Sequence, residues 1–266
     1  MIPQSHMIPQ SHMIPQLTAT QLAQYHQDGY VMLGRILDDQ QLAGLRAAEA
    51  RLRAVPMAHD GAKALTVFRH LVAAHEPMVR EVGAWGSHIP LTQQLIGDNV
   101  VFWYTQFVTK RTDEGAGTGA GAGAGTAAAT FPWHQDNGYA SVEPCTNVTV
   151  WVALDDVDER NGCVWVIPGS HLNGILPHAN ATPDSWHLSV QVEGNGIPAI
   201  LKAGEAIAFH GNTLHRSLAN HTAAIRRGFF MQYADANAVH QIDKKPLVER
   251  PHTWVVAGRA TYPTAG

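Results

Sequence analysis

Short runs rich in β-branched and aromatic residues follow one another after Asn99, and they constrain the fold more than any other feature of the sequence. Turn-forming residues separate them, among them Asn161-Gly162 and Pro168-Gly169-Ser170. The runs lie at 101–108, 148–152, 164–167, 188–192, 206–209 and 228–233. Many short strands without intervening helices predict an antiparallel sandwich or barrel, for which a double-stranded jelly roll is the best match.

Helices are expected before this β region. Residues 18–21 have the form of a capping box, and Gly29 is expected to end the helix that they begin. After a short strand at 30–33, Asp38 or Asp39 can cap a second helix, whose apolar stripe is Leu42, Leu45, Ala48 and Leu52. Residues 78–97 indicate further short helices. We therefore expect a mainly β fold with flanking α-helices.

Residues 17–266 predict one domain. Hydrophobic residues make up 45% and charged residues 15% of the chain, which favours a well-filled core. Residues 1–16 repeat the hexapeptide MIPQSH, which resembles a start-site duplication or a cloning remnant, so we expect this tail to be disordered and outside the fold. Residues 115–130 contain only Gly, Ala and Thr and predict a flexible loop, either a surface insertion or a lid over a pocket.

The charge distribution argues against nucleic acid and membrane partners. The formal net charge is −4, the pI is about 6.4, and no run of Lys and Arg is present. No apolar stretch approaches the ~20 residues of a membrane span, and no signal peptide is visible, so a cytoplasmic location is expected. Cys145 and Cys163 are expected to be small buried apolar residues. We expect a small-molecule substrate and a monomer or homodimer.

A group of candidate metal ligands lies in the β region. His134 and Asp136 are two residues apart, so on a strand both side chains point to the same face. His215, at the end of another predicted strand, supplies a third candidate. Two imidazoles and one carboxylate leave coordination positions open, which is the arrangement typical of non-haem Fe(II) oxygenases, whereas zinc sites are more often closed.

These residues belong to a longer series of motifs. The series comprises Trp133-His134-Gln135-Asp136, Trp151 to Asp155, Asn161 to Cys163, Pro168 to His171, and a distal block ending at Arg226. In order and spacing it resembles the phytanoyl-CoA dioxygenase family of Fe(II)/2-oxoglutarate-dependent oxygenases, over most of residues 17–233. The resemblance implies a double-stranded β-helix, a jelly-roll variant, with His134, Asp136 and His215 as ligands of Fe(II), and with 2-oxoglutarate and O2 as cosubstrates.

His210 is an alternative to His215. In the family, the distal histidine precedes the 2-oxoglutarate arginine by eleven residues, with a small hydroxyl residue two positions and an Asn five positions after it. His215 satisfies this register with Ser217, Asn220 and Arg226, whereas His210 lies sixteen residues before Arg226. The resemblance therefore implies His215 as the ligand and His210 as a structural neighbour.

The same resemblance implies a cosubstrate pocket. Arg226 would hold the far carboxylate of 2-oxoglutarate through paired hydrogen bonds, with Ser217 as a further donor. Trp151 would line this pocket, although a plain core role is the alternative. Gln106 and Lys110 lie on a strand where the family often has additional contacts. Arg227 should point the opposite way from Arg226 and be a surface charge.

Four aromatic residues near these motifs are candidates for the wall of the substrate pocket. They are Trp103, Tyr104, Tyr139 and Phe230, and each can equally be a core residue. The expected reaction is oxidation, most simply hydroxylation, of an unactivated C–H bond of a small molecule such as a secondary metabolite, with release of succinate and CO2. Alternatives are oxidative cyclisation or epimerisation at the same site, a cupin-like metal-dependent isomerase or hydrolase, and a catalytically silent jelly-roll binding protein.

Overall fold

The computed structural model describes residues 16–55, 66–111, 130–182 and 187–258, with only the backbone for 66–70. The helices are α1 (Ala19–Asp28), α2 (Asp39–Ala54), α3 (Pro77–Trp85), α4 (Ile89–Ile96) and α5 (Asp136–Tyr139), with 3-10 helices at Val72–Ala74, Ser170–Asn173 and Leu247–Glu249. The strands are β1 (Tyr30–Arg35), β2 (Thr66–His70), β3 (Val100–Lys110), β4 (Phe131–His134), β5 (Val142–Glu143), β6 (Val148–Ala153), β7 (Val164–Val166), β8 (Ala179–Asn180), β9 (Leu188–Ser189), β10 (Ile197–Pro198), β11 (Glu205–His210), β12 (His215–Ser217), β13 (Arg226–Asp235), β14 (Val239–His240) and β15 (Trp254–Ala257). The predicted N-terminal tail and the Gly/Ala/Thr segment lie outside the described residues, apart from Gln16 and Thr130.

The first two helices begin at the capping residues that the sequence predicts. The Thr18 hydroxyl accepts a hydrogen bond from the Gln21 backbone, and the Gln21 side chain accepts one from the Thr18 backbone. Asp38, and not Asp39, makes the same reciprocal pair with Gln41 at the start of α2. Gly29 ends α1 with a φ of 77°, a left-handed conformation that glycine adopts without strain.

Two antiparallel sheets form the body of the protein. The larger, seven-stranded sheet has the order β1-β11-β6-β13-β3-β15, with β2 also paired to β3. The smaller, four-stranded sheet has the order β10-β7-β12-β4. Two such sheets packed face to face, with helices on the outer face of the larger one, are the predicted jelly roll.

Strand alternation divides the core into two layers. In β6, Val148, Val150 and Val152 pack in a cluster with apolar residues of α1 to α4. The next residues along the same strand, Trp151 and Ala153, pack with the smaller sheet instead. The odd-numbered face of β6 therefore points into the space between the sheets, which is where the functional residues lie.

Two local predictions need correction. Asp136 is not on a strand with His134, because β4 ends at His134 and Asp136 begins α5. Gln135 between them is extended (φ −117°, ψ 140°), so the two side chains still leave on the same side. The predicted strand at 188–192 is reduced to Leu188–Ser189. Among the described residues, no helix is both long and apolar enough to cross a bilayer.

Candidate metal centre and active site

A cavity of about 260 Å³ opens between the two sheets. All eleven residues that the sequence assigned to the site line this cavity, although they come from β3, β4, β6, β12, β13 and α5. They are Trp103, Tyr104, Gln106, His134, Asp136, Tyr139, Trp151, His215, Ser217, Arg226 and Phe230. The fold therefore brings the predicted metal, cosubstrate and substrate residues into one continuous space.

His134, Asp136 and His215 form a cluster that can hold one metal ion. His134 and His215 are cross-strand partners of β4 and β12, and Asp136 follows β4 after one extended residue. The Asp136 Oδ1 atom lies 3.5 Å from His215 Nε2 and 4.0 Å from His134 Nε2. One potential ligand atom from each residue lies within 4.8 Å of the others. All three side chains are buried or nearly so.

Backbone carbonyls fix the orientation of both imidazoles. His134 Nδ1 lies 2.8 Å from the Pro132 oxygen, and His215 Nδ1 lies 2.9 Å from the Thr213 oxygen. Because a carbonyl only accepts, each Nδ1 donates its hydrogen, and the neutral form of each ring then has its lone pair on Nε2, the nitrogen that faces Asp136. Two imidazoles oriented in this way, together with one carboxylate, are the donor set that suits Fe(II) with open coordination positions.

The surroundings of His134 and Asp136 favour the protonation states that bind a metal ion. Burial, reinforced by neighbouring His215, lowers the pKa of His134 well below its ordinary value. Burial alone would raise the pKa of Asp136, but His215, His134 and the Thr149 hydroxyl outweigh it and leave that pKa lowered. A neutral His134 and an ionised Asp136 are the forms that bind a cation.

His210 is engaged in a different set of contacts. Its Nδ1 accepts a hydrogen bond from the Asn212 backbone at 3.0 Å, so its Nε2 carries the hydrogen and donates to the Cys145 oxygen at 3.2 Å. Both ring nitrogens are thus used, and neither is free for a metal ion. Cys163 is buried as expected, whereas Cys145 is only half-buried and its Sγ accepts hydrogen bonds from Asn137 and Asn212.

Arg226 lines the cavity and is deeply buried. Its side chain is 1% exposed, and its guanidinium donates to the Val108 oxygen at 3.3 Å and to the Gly162 oxygen at 2.6 Å. Its Nε is buried without a hydrogen-bond partner among the residues that the structure describes. A buried guanidinium with an unused donor fits a carboxylate ligand such as that of 2-oxoglutarate, because burying such a charge without a partner is costly.

The other predicted cosubstrate residues line the same cavity as Arg226. The Trp151 ring lies 5.4 Å from the Arg226 guanidinium. This packing requires Gly228, since a Cβ there would lie 2.3 Å from the Trp151 ring. Ser217 lies on β12 two residues after His215. Gln106 accepts a hydrogen bond from the Tyr104 hydroxyl at 3.0 Å.

Two basic neighbours of Arg226 differ in their surroundings. Lys110 is its cross-strand partner and is buried, with Nζ donating to the Ser217 oxygen at 3.3 Å. Burial, followed by the charge of Arg226, lowers the pKa of Lys110 well below its ordinary value. Arg227 points the opposite way, as predicted, but it is only half-exposed and makes a two-bond ion pair with Asp155 at 2.9 and 2.6 Å.

Aromatic side chains form the remaining wall. Tyr104 and Phe230 meet edge to face with their centroids 5.8 Å apart, and the Tyr139 hydroxyl accepts a hydrogen bond from the Leu188 backbone at 2.6 Å. Burial raises the pKa of both tyrosines, so their hydroxyls stay protonated at neutral pH. The wall is therefore rigid and largely apolar, with two phenol groups.

Sequence reasoning missed several cavity residues. Phe131, Gln232, His240 and Arg250 also line the cavity. Gln232 lies on the same face of β13 as Arg226 and Phe230, so strand alternation from Arg226 would have found it. His240 and Arg250 both contact Asp243 and belong to the C-terminal region, in which we recognised no motif.

Comparison with known proteins identifies the family. The family model described as Phytanoyl-CoA dioxygenase (PhyH) matches residues 25–228. "Phytanoyl-CoA dioxygenase domain-containing protein 1" of Danio rerio is 28% identical over 208 residues, which cover 73% of this chain and 63% of that protein. The chain thus spans less than two thirds of that relative.

Two solved structures share the fold. The non-heme alpha ketoglutarate dependent carbocyclase SnoK from nogalamycin biosynthesis superposes with a TM-score of 0.68 at 20% identity, covering 89% of both chains. The epimerase SnoN, solved in complex with Fe3+, alpha ketoglutarate and nogalamycin RO, superposes with a TM-score of 0.67 at 24% identity, covering 93% of this chain and 95% of that one. The matched family model covers most of the sequence, and so the chain belongs to the phytanoyl-CoA dioxygenase family of Fe(II)- and 2-oxoglutarate-dependent dioxygenases.

Proposed function

We propose that this dioxygenase oxidises a C–H bond of a small apolar or planar secondary metabolite, most simply by hydroxylation, with release of succinate and CO2. The observation that supports this proposal best is one cavity that combines the His134, Asp136 and His215 cluster, the buried Arg226 and an aromatic wall. A cupin-like isomerase or hydrolase would have no use for a buried, partly unpaired arginine in the cavity wall.

In this proposal, His134, Asp136 and His215 hold Fe(II), which supplies O2 activation coupled to oxidative decarboxylation of 2-oxoglutarate. The Pro132 and Thr213 carbonyls keep the two imidazoles in the ligating orientation. The ring contact of Phe131 against His134, with centroids 4.3 Å apart, limits access of water to that ligand. The protein therefore determines which coordination positions stay open.

Arg226 binds and orients the cosubstrate in the same proposal. Its unused Nε would donate to the far carboxylate, and Ser217 would add a hydroxyl donor from β12. Trp151 covers the guanidinium and keeps it in place. With the far carboxylate bound at Arg226, the keto acid end of 2-oxoglutarate would remain for the three metal ligands, which line the same cavity.

The substrate would occupy the part of the cavity lined by Trp103, Tyr104, Tyr139 and Phe230. Their fixed rings favour a planar or apolar molecule over a flexible polar one. SnoK and SnoN act as a carbocyclase and an epimerase in nogalamycin biosynthesis, which supports a natural-product substrate and keeps cyclisation and epimerisation as alternative outcomes at this site.

A screen of natural-product extracts with purified enzyme, Fe(II) and 2-oxoglutarate tests this proposal. We expect one compound to raise succinate release above the rate without substrate. The mass of the product under ¹⁸O₂ then identifies the reaction, because hydroxylation adds one labelled oxygen, cyclisation removes two hydrogens and epimerisation leaves the mass unchanged. Iron-loaded, folded enzyme that never converts 2-oxoglutarate to succinate would contradict the proposal.

A further inference from the structure

We infer that Thr149 is a positioning residue that holds Asp136 so that only one of its carboxylate oxygens faces the metal ion. This inference rests on the proposed metal site. Thr149 was not among the residues expected from the sequence, and it does not line the cavity, since it is fully buried behind Asp136.

The contacts of Asp136 are divided between its two oxygens. Oδ2 accepts a hydrogen bond from the Thr149 hydroxyl at 2.5 Å. Oδ1 is the oxygen that lies 3.5 Å from His215 Nε2 and 4.0 Å from His134 Nε2. Because Asp136 is the first residue of α5 and lies beyond the end of β4, strand pairing does not fix its side chain. The Thr149 hydroxyl therefore orients the Asp136 carboxylate, which strand pairing does not.

A second contact directs the Thr149 hydroxyl. Gln232 on β13 is the cross-strand partner of Thr149, and its Nε2 lies 3.4 Å from Thr149 Oγ1. A hydroxyl has one hydrogen to donate, and an ionised carboxylate can only accept. The Thr149 hydroxyl therefore accepts from Gln232 and donates to Asp136. The two hydrogen bonds form a chain from the cavity wall to the proposed metal ligand.

The number of ligands explains why this orientation matters. In an octahedral site, two imidazoles and a single carboxylate oxygen leave three positions, enough for a chelating keto acid and O2. A carboxylate that bound through both oxygens would remove one of these positions. Engaging Oδ2 with the Thr149 hydroxyl keeps the site open, and outer hydrogen bonds of this kind typically change metal affinity by about 10- to 100-fold.

Substitution of Thr149 by valine keeps the shape of the side chain and removes the hydroxyl. We expect Thr149→Val to raise the dissociation constant for Co(II), titrated without 2-oxoglutarate, by about 10- to 100-fold. Thr92→Val is the matched control, since Thr92 is equally buried and its hydroxyl bonds, within the part of the chain that the structure describes, only to the Ile89 oxygen of α4. Equal Co(II) affinity in wild type and Thr149→Val, or equal losses in both valine variants, would overturn the inference.

A second pair of variants isolates the hydroxyl if Thr149→Val does not fold. Thr149→Ser and Thr149→Ala both lose the methyl group, and only the serine keeps the donor to Asp136. We expect the serine variant to bind Co(II) within about threefold of wild type and the alanine variant to bind at least tenfold more weakly. Equal affinities for the two would overturn the inference. Wild-type protein that does not bind Co(II) would instead remove the proposed metal site itself, and the inference with it.

Discussion

Lys110 lies directly opposite Arg226 in the pairing of β3 with β13, and both basic side chains are buried. Lys110 does not line the cavity, and its Nζ donates to the backbone oxygen of Ser217. Lys110 therefore supports from behind Ser217, one of the residues that we propose bind the cosubstrate.

Substitution of Lys110 by methionine should weaken 2-oxoglutarate binding moderately. The loss of one hydrogen bond worth about 1 kcal/mol corresponds to roughly a fivefold higher dissociation constant. The titration is done anaerobically with Fe(II)-loaded enzyme, and Lys245→Met, an exposed lysine in the C-terminal region, is the control. A loss for Lys110→Met as large as that for Arg226→Gln would show that Lys110 contacts the cosubstrate itself.

Substitution of His215 should abolish metal binding, whereas substitution of His210 should not. His215 directs Nε2 at Asp136, but both ring nitrogens of His210 are bonded to backbone groups. We expect His215→Ala to lose at least a hundredfold in Co(II) affinity. His210→Ala should bind Co(II) within about threefold of wild type, because His210 is not a ligand. Metal loss in His210→Ala, with His215→Ala unaffected, would reverse our choice of distal ligand.

The stability of the protein should depend on pH through His88. Burial lowers the pKa of His88 to about 4, and its Nε2 is hydrogen-bonded to the Tyr233 hydroxyl at 2.7 Å. The unfolded chain takes up this proton near the ordinary pKa of 6.5 and the folded protein does not, so stability is complete above that pH and falls as the pH drops towards 4. From pH 7 to pH 5, His88 should account for about 2 kcal/mol of lost unfolding free energy.

Urea unfolding of wild type and His88→Phe at these two pH values checks this expectation. The phenylalanine variant should lose less stability than wild type on acidification. The same pH dependence in both proteins would exclude His88 as the source.

Most residues of the candidate site could be predicted from the sequence, because the patterns that point to them are local or have a fixed spacing. The alternation of β6 and β13 follows from their apolar patterns, and the distal block of the family identified His215 and Arg226 together. Thr149 and Gln232 could have been found by the same alternation, each two residues from a residue already assigned. His240 and Arg250 could not, because their place at the cavity depends on how the C-terminal region packs against β3 and β5, which leaves no local pattern.

Other parts of the fold were beyond sequence reasoning for related reasons. The strand Thr66–His70 pairs with β3 and has no alternating pattern of its own that distinguishes it from a loop. The run at 188–192 has strand composition, but Val190 already bonds to the Trp133 oxygen outside any ladder, so only two residues pair regularly. In both cases tertiary pairing overrides local propensity.

Anaerobic titration of the protein with Fe(II) and 2-oxoglutarate tests the proposed metal and cosubstrate sites together. We expect a visible metal-to-ligand charge-transfer band in wild type and in Arg227→Gln, because Arg227 is paired with Asp155 away from the cavity. In Arg226→Gln the band should require roughly ten- to a hundredfold more 2-oxoglutarate, since a charge-assisted hydrogen bond contributes about 1.5–3 kcal/mol. Folded, iron-loaded wild-type protein without this band at saturating 2-oxoglutarate would contradict the proposed iron and 2-oxoglutarate sites.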